Sequence, residues 1–182
     1  MDKKTTKILW LLLATLLIGV WGYRRCTRPG RPVNVRAYLE TYAPVAKKLS
    51  ELSGIPAAVP LAVAGLESGW GESQLAREGN NHFGIKARGK QKRYCLRTTE
   101  FERGRPYRVL DCFRAYPSPE EGYFDFVRFI LTQPRYEGLF RIPAEDYRSW
   151  AKGLQEAGYA TDPDYAKKLI RVIEYYDLDE IE

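Results

Sequence analysis

Pro60-Leu61-Ala62-Val63-Ala64-Gly65-Leu66-Glu67-Ser68-Gly69-Trp70-Gly71 is the stretch on which the reading of this chain turns. Proline is tolerated in a first helical turn, because its missing N–H has no intrahelical partner there. The aliphatic run that follows predicts a helix from about Pro60 to Glu67, and the glycines at 69 and 71 predict its end. Glu67 is the one ionisable group in this helix, and one turn back it meets only Val63 and Ala64. Desolvation in such surroundings raises a carboxyl pKa, and the negative end of the helix dipole pushes the same way. A carboxyl kept protonated near neutral pH is what a general acid requires. Trp70 adds a flat surface suited to a sugar ring. On spacing alone, a lone glutamate at a helix end is more often a solvated surface residue, and both readings stand at this point.

Working outward, Tyr38, Leu39, Tyr42, Val45, Ala46, Leu49 and Leu52 recur at three- and four-residue spacing from Val35, with Gly54 as the stop. Residues from about Lys92 to Arg114 favour strands, with Glu102-Arg103-Gly104-Arg105 as the turn. A hairpin centred between Arg103 and Gly104 pairs positions whose numbers sum to 207, and Cys95 and Cys112 satisfy that sum. In an oxidising compartment this opposition predicts a cross-strand disulfide; the alternative is two unrelated reduced thiols. Cys26 is then left over. Three further helices are expected. The first opens at Ser118-Pro119-Glu120-Glu121 as a capping box, the second at Pro143, and the last is capped by Asp162-Pro163. The fold class is α+β, a mainly helical body with one small β-hairpin lobe.

The first 23 residues have a different character. Lys3, Lys4 and Lys7 precede sixteen uncharged residues, Ile8 to Tyr23, and Arg24, Arg25, Arg28 and Arg31 follow. That order is the signature of a secretory signal. No small-residue cleavage site precedes Arg24, and Trp21-Gly22-Tyr23 resembles an interfacial aromatic anchor, so an uncleaved signal anchor is favoured over a cleaved signal. The expected organisation is a signal segment over 1–23, a Pro/Gly/Arg-rich linker over 24–34 and a globular domain over 35–182. The body is expected to be exported, held at the membrane through its N-terminal segment or secreted if that segment is cleaved. Losing the three lysines and one aspartate of residues 1–23 takes the formal charge from +6 to +4, a balance suited to an anionic polymer such as cell wall. The basic residues are spread along the chain without the clustered helix or arm of a nucleic-acid binder, so no nucleic-acid partner is expected.

Other chemistries have little to work with. His82 is the one histidine, so neither a His-rich metal site nor an activated serine is available, and no cofactor or metal is expected. His82 itself, within Asn80-Asn81-His82-Phe83-Gly84, reads as a structural loop residue. Carboxylate acid–base catalysis remains, and glycoside cleavage needs it: one protonated carboxyl for the leaving oxygen and, in most families, a second carboxylate.

With these residues in view, the chain resembles glycoside hydrolase family 73, the bacterial N-acetylglucosaminidases. Five segments carry the likeness in family order: residues 60–73, Asn80-Asn81-His82-Phe83-Gly84-Ile85-Lys86, Thr98-Thr99-Glu100-Phe101, Phe113-Arg114-Ala115-Tyr116, and Ala157-Gly158-Tyr159-Ala160-Thr161-Asp162-Pro163 with Tyr165-Ala166. The resemblance implies a lysozyme-like fold, peptidoglycan glycan strands as partner, and cleavage of the β-1,4 bond after N-acetylglucosamine. It implies Glu67 as catalytic acid, Glu100 as second acidic residue on the hairpin, and Tyr159 as a cleft tyrosine. In the hairpin register Glu100 lies on the face opposite Cys95 and Cys112, and Glu102 shares its face as a competitor. Trp70, Phe113 and Tyr116 are candidates for stacking on sugar, and Asn81 for substrate binding or for shaping the loop beneath the acid. Whether Glu100 activates water or the substrate's own acetamido group attacks stays open, as do two alternatives: a lytic transglycosylase-type murein lyase, and a non-catalytic wall-binding module keeping the fold.

Overall fold

The structure is a computed structural model that describes residues 30–102 and 105–181, with the side chains of residues 99–106 outside that description. The signal segment 1–23, most of the linker and Cys26 therefore lie outside the described residues, as do the carboxyl groups of Glu100 and Glu102. No helix among the described residues is long and apolar enough to cross a membrane. Val33–Glu182 forms one compact unit.

Helix α1 spans Val33–Ser53 and buries Val35, Tyr38, Leu39, Ala46 and Leu49 along one stripe. The expected stripe overran its end: Leu52, in the last turn, is 74% exposed. Helix α2, Ala58–Ser68, is enclosed on every side, with Leu61 to Ala64 fully buried. An apolar helix without a polar face is a core helix, and the rest of the body is laid around it. Its last turn is the exception, since Leu66 is half-buried and Glu67 exposed. Gly69 stops it in the left-handed region, φ 59°, and Trp70 follows at φ 60°. The Ser68 hydroxyl then ties the turn, donating to the Ala64 carbonyl and accepting from the Gly71 N–H.

Helix α3, Gln74–Gly79, is a single short element capped by the Ser73 hydroxyl, too brief to show a periodic pattern. The hairpin follows, β1 at Arg93–Glu102 and β2 at Arg105–Arg114. Its register pairs Cys95 with Cys112 and Glu102 with Arg105, and the two cysteines are joined by a disulfide. Exposure distinguishes the two faces. Tyr94, Leu96, Thr98, Val109, Asp111 and Phe113 are half-buried, while Arg93, Cys95, Arg97, Arg108 and Leu110 face solvent.

Helix α4 spans Pro119–Thr132 with Ser118 at its N-cap, but the serine hydroxyl bonds no helix N–H, so the expected capping box is not closed. A 3₁₀ stretch, Pro134–Arg141, comes next. Helix α5, Tyr147–Glu156, starts later than Pro143 because Asp146 supplies the cap, accepting from Ser149 N. Helix α6, Tyr165–Tyr175, begins after Asp164, while Asp162 holds the preceding turn by accepting from Asp164 N. α2 packs against α1, α4, α5 and α6, so the mainly helical body with a two-stranded lobe is as expected.

A candidate active site at the open end of the buried helix

The site is built where α2 runs out of cover. Water reaches Glu67 from one side while protein atoms crowd it from the other, and this desolvation holds its carboxyl above the usual carboxylate range. Gly84 keeps the opposing loop close: at φ 63° it turns the chain, and a Cβ there would stand 3.9 Å from Glu67 Oε2. Asn81 fixes that loop. Its Oδ1 accepts from the N–H groups of Phe83 and Ile85, and its Nδ2 donates to the carbonyls of Ile85 and Arg114. Asn81 is 1% exposed with its amide fully used, so it shapes the loop and has nothing left for a substrate.

Two tyrosines back the acid. Tyr159 follows Gly158 (φ 71°), and its enclosed hydroxyl makes a long contact, 3.4 Å, to the Phe83 carbonyl and feels the charge of Glu67. Tyr165, at the start of α6, is 3% exposed and its hydroxyl has no hydrogen-bond partner. That hydroxyl faces the Glu67 carboxyl without closing a bond to it, and pulls the Glu67 pKa down against the larger effect of burial. The two tyrosine rings lie 5.6 Å apart. Tyr165 was legible only as part of the closing motif, because a tyrosine opening an amphipathic helix has the look of core.

The aromatic candidates divide. Trp70 folds back over α2, where a Cβ on Gly65 would meet its ring at 2.8 Å, and it packs edge-on against Tyr38 and Tyr176. It is a half-buried brace, with one ring face already occupied. Tyr116 donates its hydroxyl to Asp125 Oδ2 at 2.6 Å and lies over Gly122, which leaves its hydroxyl unavailable to a sugar. Phe113 is half-buried on the less exposed hairpin face, paired with Tyr94 and bridged to Lys86. By register Glu100, opposite Tyr107, and Glu102, opposite Arg105, belong to that same face, which also carries Thr98 and Asp111. His82 is buried, bonded through Nδ1 to the Tyr38 hydroxyl at 2.7 Å, and burial brings its pKa down to about 4. It is neutral and structural. Among the described residues no cluster of three His, Cys, Asp or Glu side chains forms a metal site.

Cavity size alone points elsewhere. A depression of about 430 Å³ lies at the opposite end of α2, lined by Lys47, Glu51, Ala57, Tyr147 and Asp179 among others. Ten residues of helix, about 15 Å, separate it from Glu67.

Residues 43–178 match the glucosaminidase family model, described as mannosyl-glycoprotein endo-beta-N-acetylglucosaminidase. The chain is 40% identical over 149 residues to peptidoglycan hydrolase FlgJ of Escherichia coli K12, covering 79% of this chain and 47% of that protein. It is 33% identical over 150 residues to exo-glucosaminidase LytG of Bacillus subtilis, covering 80% of this chain and 52% of the relative. The chain thus spans about half the length of the curated relatives it matches. A crystal structure of a peptidoglycan hydrolase mutant from Sphingomonas sp. A1 superposes with a TM-score of 0.68 at 37% identity, over 80% of this chain and 96% of that one.

Proposed function

The chain belongs to the glucosaminidase family, and we propose that it is a peptidoglycan hydrolase cleaving the β-1,4 bond after N-acetylglucosamine, with Glu67 as general acid. One observation carries this reading: a single carboxyl stands on the open turn of an otherwise enclosed helix, held above its usual range beside two tyrosines. A protonated carboxyl at a cleft wall delivers its proton to the glycosidic oxygen as the bond breaks, and the buried helix keeps its position fixed. Tyr159 orients the acetamido group or the attacking water from behind. Tyr165 steadies the carboxylate left after proton transfer, when its unpartnered hydroxyl gains an anion to bond.

Glu100 is the second carboxylate in this proposal, activating the water from the hairpin side. Its pairing with Tyr107 supports the assignment, since that register sets it on the face away from the disulfide. Glu102 shares the face and is the alternative. In this proposal the hairpin lobe closes on a bound strand, which brings the second carboxylate to the sugar only in the complex. The substrate lies in the wall, so the protein acts as an exported enzyme, with residues 1–23 as its signal anchor. Recovery of cleaved, anchor-free protein from the medium would contradict the anchor.

Mass spectrometry of muropeptides released from purified sacculi tests the function. The wild type is expected to leave reducing N-acetylglucosamine ends and Glu67→Gln to release none while still binding sacculi. Anhydro-muramic ends would overturn hydrolysis at this bond in favour of a lyase. Equal release by both proteins would remove Glu67 from the mechanism.

A further inference from the structure

Beside the cleft, the end of β2 and helix α4 enclose a charged cluster with no part in the reaction above. Asp125 is 5% exposed and accepts three hydrogen bonds, from Arg114 at 2.5 Å, Tyr116 at 2.6 Å and Arg128. Burial pushes its carboxyl up, but those three donors outweigh burial and hold it below the usual range. It is an anion with both carboxylate oxygens engaged. Its effect is to set two guanidinium groups side by side while neutralising one of them.

A depression of about 200 Å³ opens over this cluster, lined by Gln91, Lys92, Arg114, Ala115, Tyr116, Asp125 and Arg128. Three cations border it against one carboxylate. Arg128 is 71% exposed and Lys92 is exposed, with no ion pair to another described residue, so both have N–H donors to offer. The Nε of Arg114 is buried without a partner. A second depression of about 140 Å³, lined by Tyr116, Glu121, Phe124, Asp125 and Arg128, adjoins it and adds one acidic group and an exposed aromatic ring at the far side. Arg114 connects the cluster to the site, because its carbonyl accepts from Nδ2 of Asn81, which holds the loop opposite Glu67.

Planar guanidinium groups fixed by a buried carboxylate, with an exposed lysine beside them, are a receiver for a carboxylate. Resting on the peptidoglycan reading, we propose that the depression formed by Lys92, Arg114 and Arg128 binds a carboxylate of the peptide attached to the glycan strand. The peptides of this polymer are acidic and leave the sugar chain sideways, whereas the glycan between them is neutral. A net positive recess beside the cleft therefore reads the peptide and distinguishes a substituted strand from a bare one.

Two arms test this with the full chain. In the first, calorimetry measures binding of the tripeptide L-alanyl-γ-D-glutamyl-L-lysine to the wild type and to Lys92→Ala/Arg128→Ala, two exposed side chains whose removal leaves Arg114 and Tyr116 on Asp125, with thermal melts checking that the double variant is folded. The expected result is binding by the wild type, about tenfold weaker in the double variant and undiminished by an equal concentration of inorganic phosphate. Equal binding by both proteins, no binding to the wild type, or displacement by phosphate would each overturn the assignment. In the second arm, the double variant is expected to raise KM for peptide-bearing peptidoglycan severalfold while leaving turnover of peptide-stripped glycan unchanged. An equal loss on both polymers would overturn it. If the wild type cleaves neither polymer, the proposed function fails, and the tripeptide arm still decides the site.

Discussion

Two groups of buried tyrosines flank the loop Asn80–Ile85, and they are wired differently. On one side Tyr38 bonds His82 Nδ1 at 2.7 Å and Tyr123 at 2.9 Å, so both buried hydroxyls have partners. On the other side Tyr165 and Tyr136 bury hydroxyls without any partner, and Tyr159 reaches its carbonyl only at 3.4 Å. Leaving a buried polar group unpaired costs about 1–3 kcal/mol, so such a group gains from any further partner that reaches it. Two members of the unsatisfied set, Tyr159 and Tyr165, stand beside Glu67. The closed set is architecture, and in the proposed function the open set has hydroxyls to offer the substrate and the carboxylate that proton transfer leaves behind.

That contrast breaks most sharply at Glu67 itself. Glu67→Gln is expected to lower kcat/KM by about 10³-fold with little change in Tm, because the amide fits the same partly open turn but cannot donate the proton. An unchanged rate would place the chemistry elsewhere. Tyr38→Phe should act in the opposite manner: it strands His82 and Tyr123, costing about 2 kcal/mol in urea unfolding while activity per folded molecule stays the same. A loss of rate without a loss of stability would show that the closed set also serves catalysis.

The pH dependence of stability separates the two sides by sign. His82 is depressed from 6.5 to about 4, so the unfolded chain takes up its proton first. Its contribution is complete above pH 6.5 and is lost as pH falls toward 4, roughly 3 kcal/mol in all. Glu67 is raised above 4.5, so the folded chain holds its proton longer and its contribution fades as pH rises through that region. In Glu67→Gln the acid-side fall in Tm should therefore steepen, and thermal melts across pH 4–7 measure it. The smallest expected effect is that of Tyr165→Phe, about tenfold in kcat/KM. Because the hydroxyl lowers the Glu67 pKa, its removal should also move the basic limb of the activity profile to higher pH. A fall in rate with the limb unmoved would make Tyr165 a packing residue only.

Much of this was open to reading from residue order, and the parts that were not share a cause. The run from Pro60 to Gly71 announced a buried helix ending in an acid because a helix with no polar face has few alternatives. The hairpin register followed from the turn, and the cysteine pairing from the register. Asn81 stayed between binding and loop-shaping because a side chain's capacity to bond shows in its chemistry, but whether the backbone has already consumed it shows only in space. Tyr165 and Asp125 were hidden for the same reason. Each sits within an ordinary amphipathic helix, and what distinguishes them is a missing partner in one case and three donors in the other. The short helix α3 and the 3₁₀ stretch lay below the length at which periodicity speaks.

The enclosure of α2 has a practical side for anyone redesigning this protein. Its first eight residues answer to packing alone, and even Gly65 is fixed by the tryptophan ring pressed on it. The acid stands on the one turn that has slack. New chemistry at position 67 can be tried without rebuilding the scaffold, whereas any change deeper in the helix would shift the acid before it altered anything else.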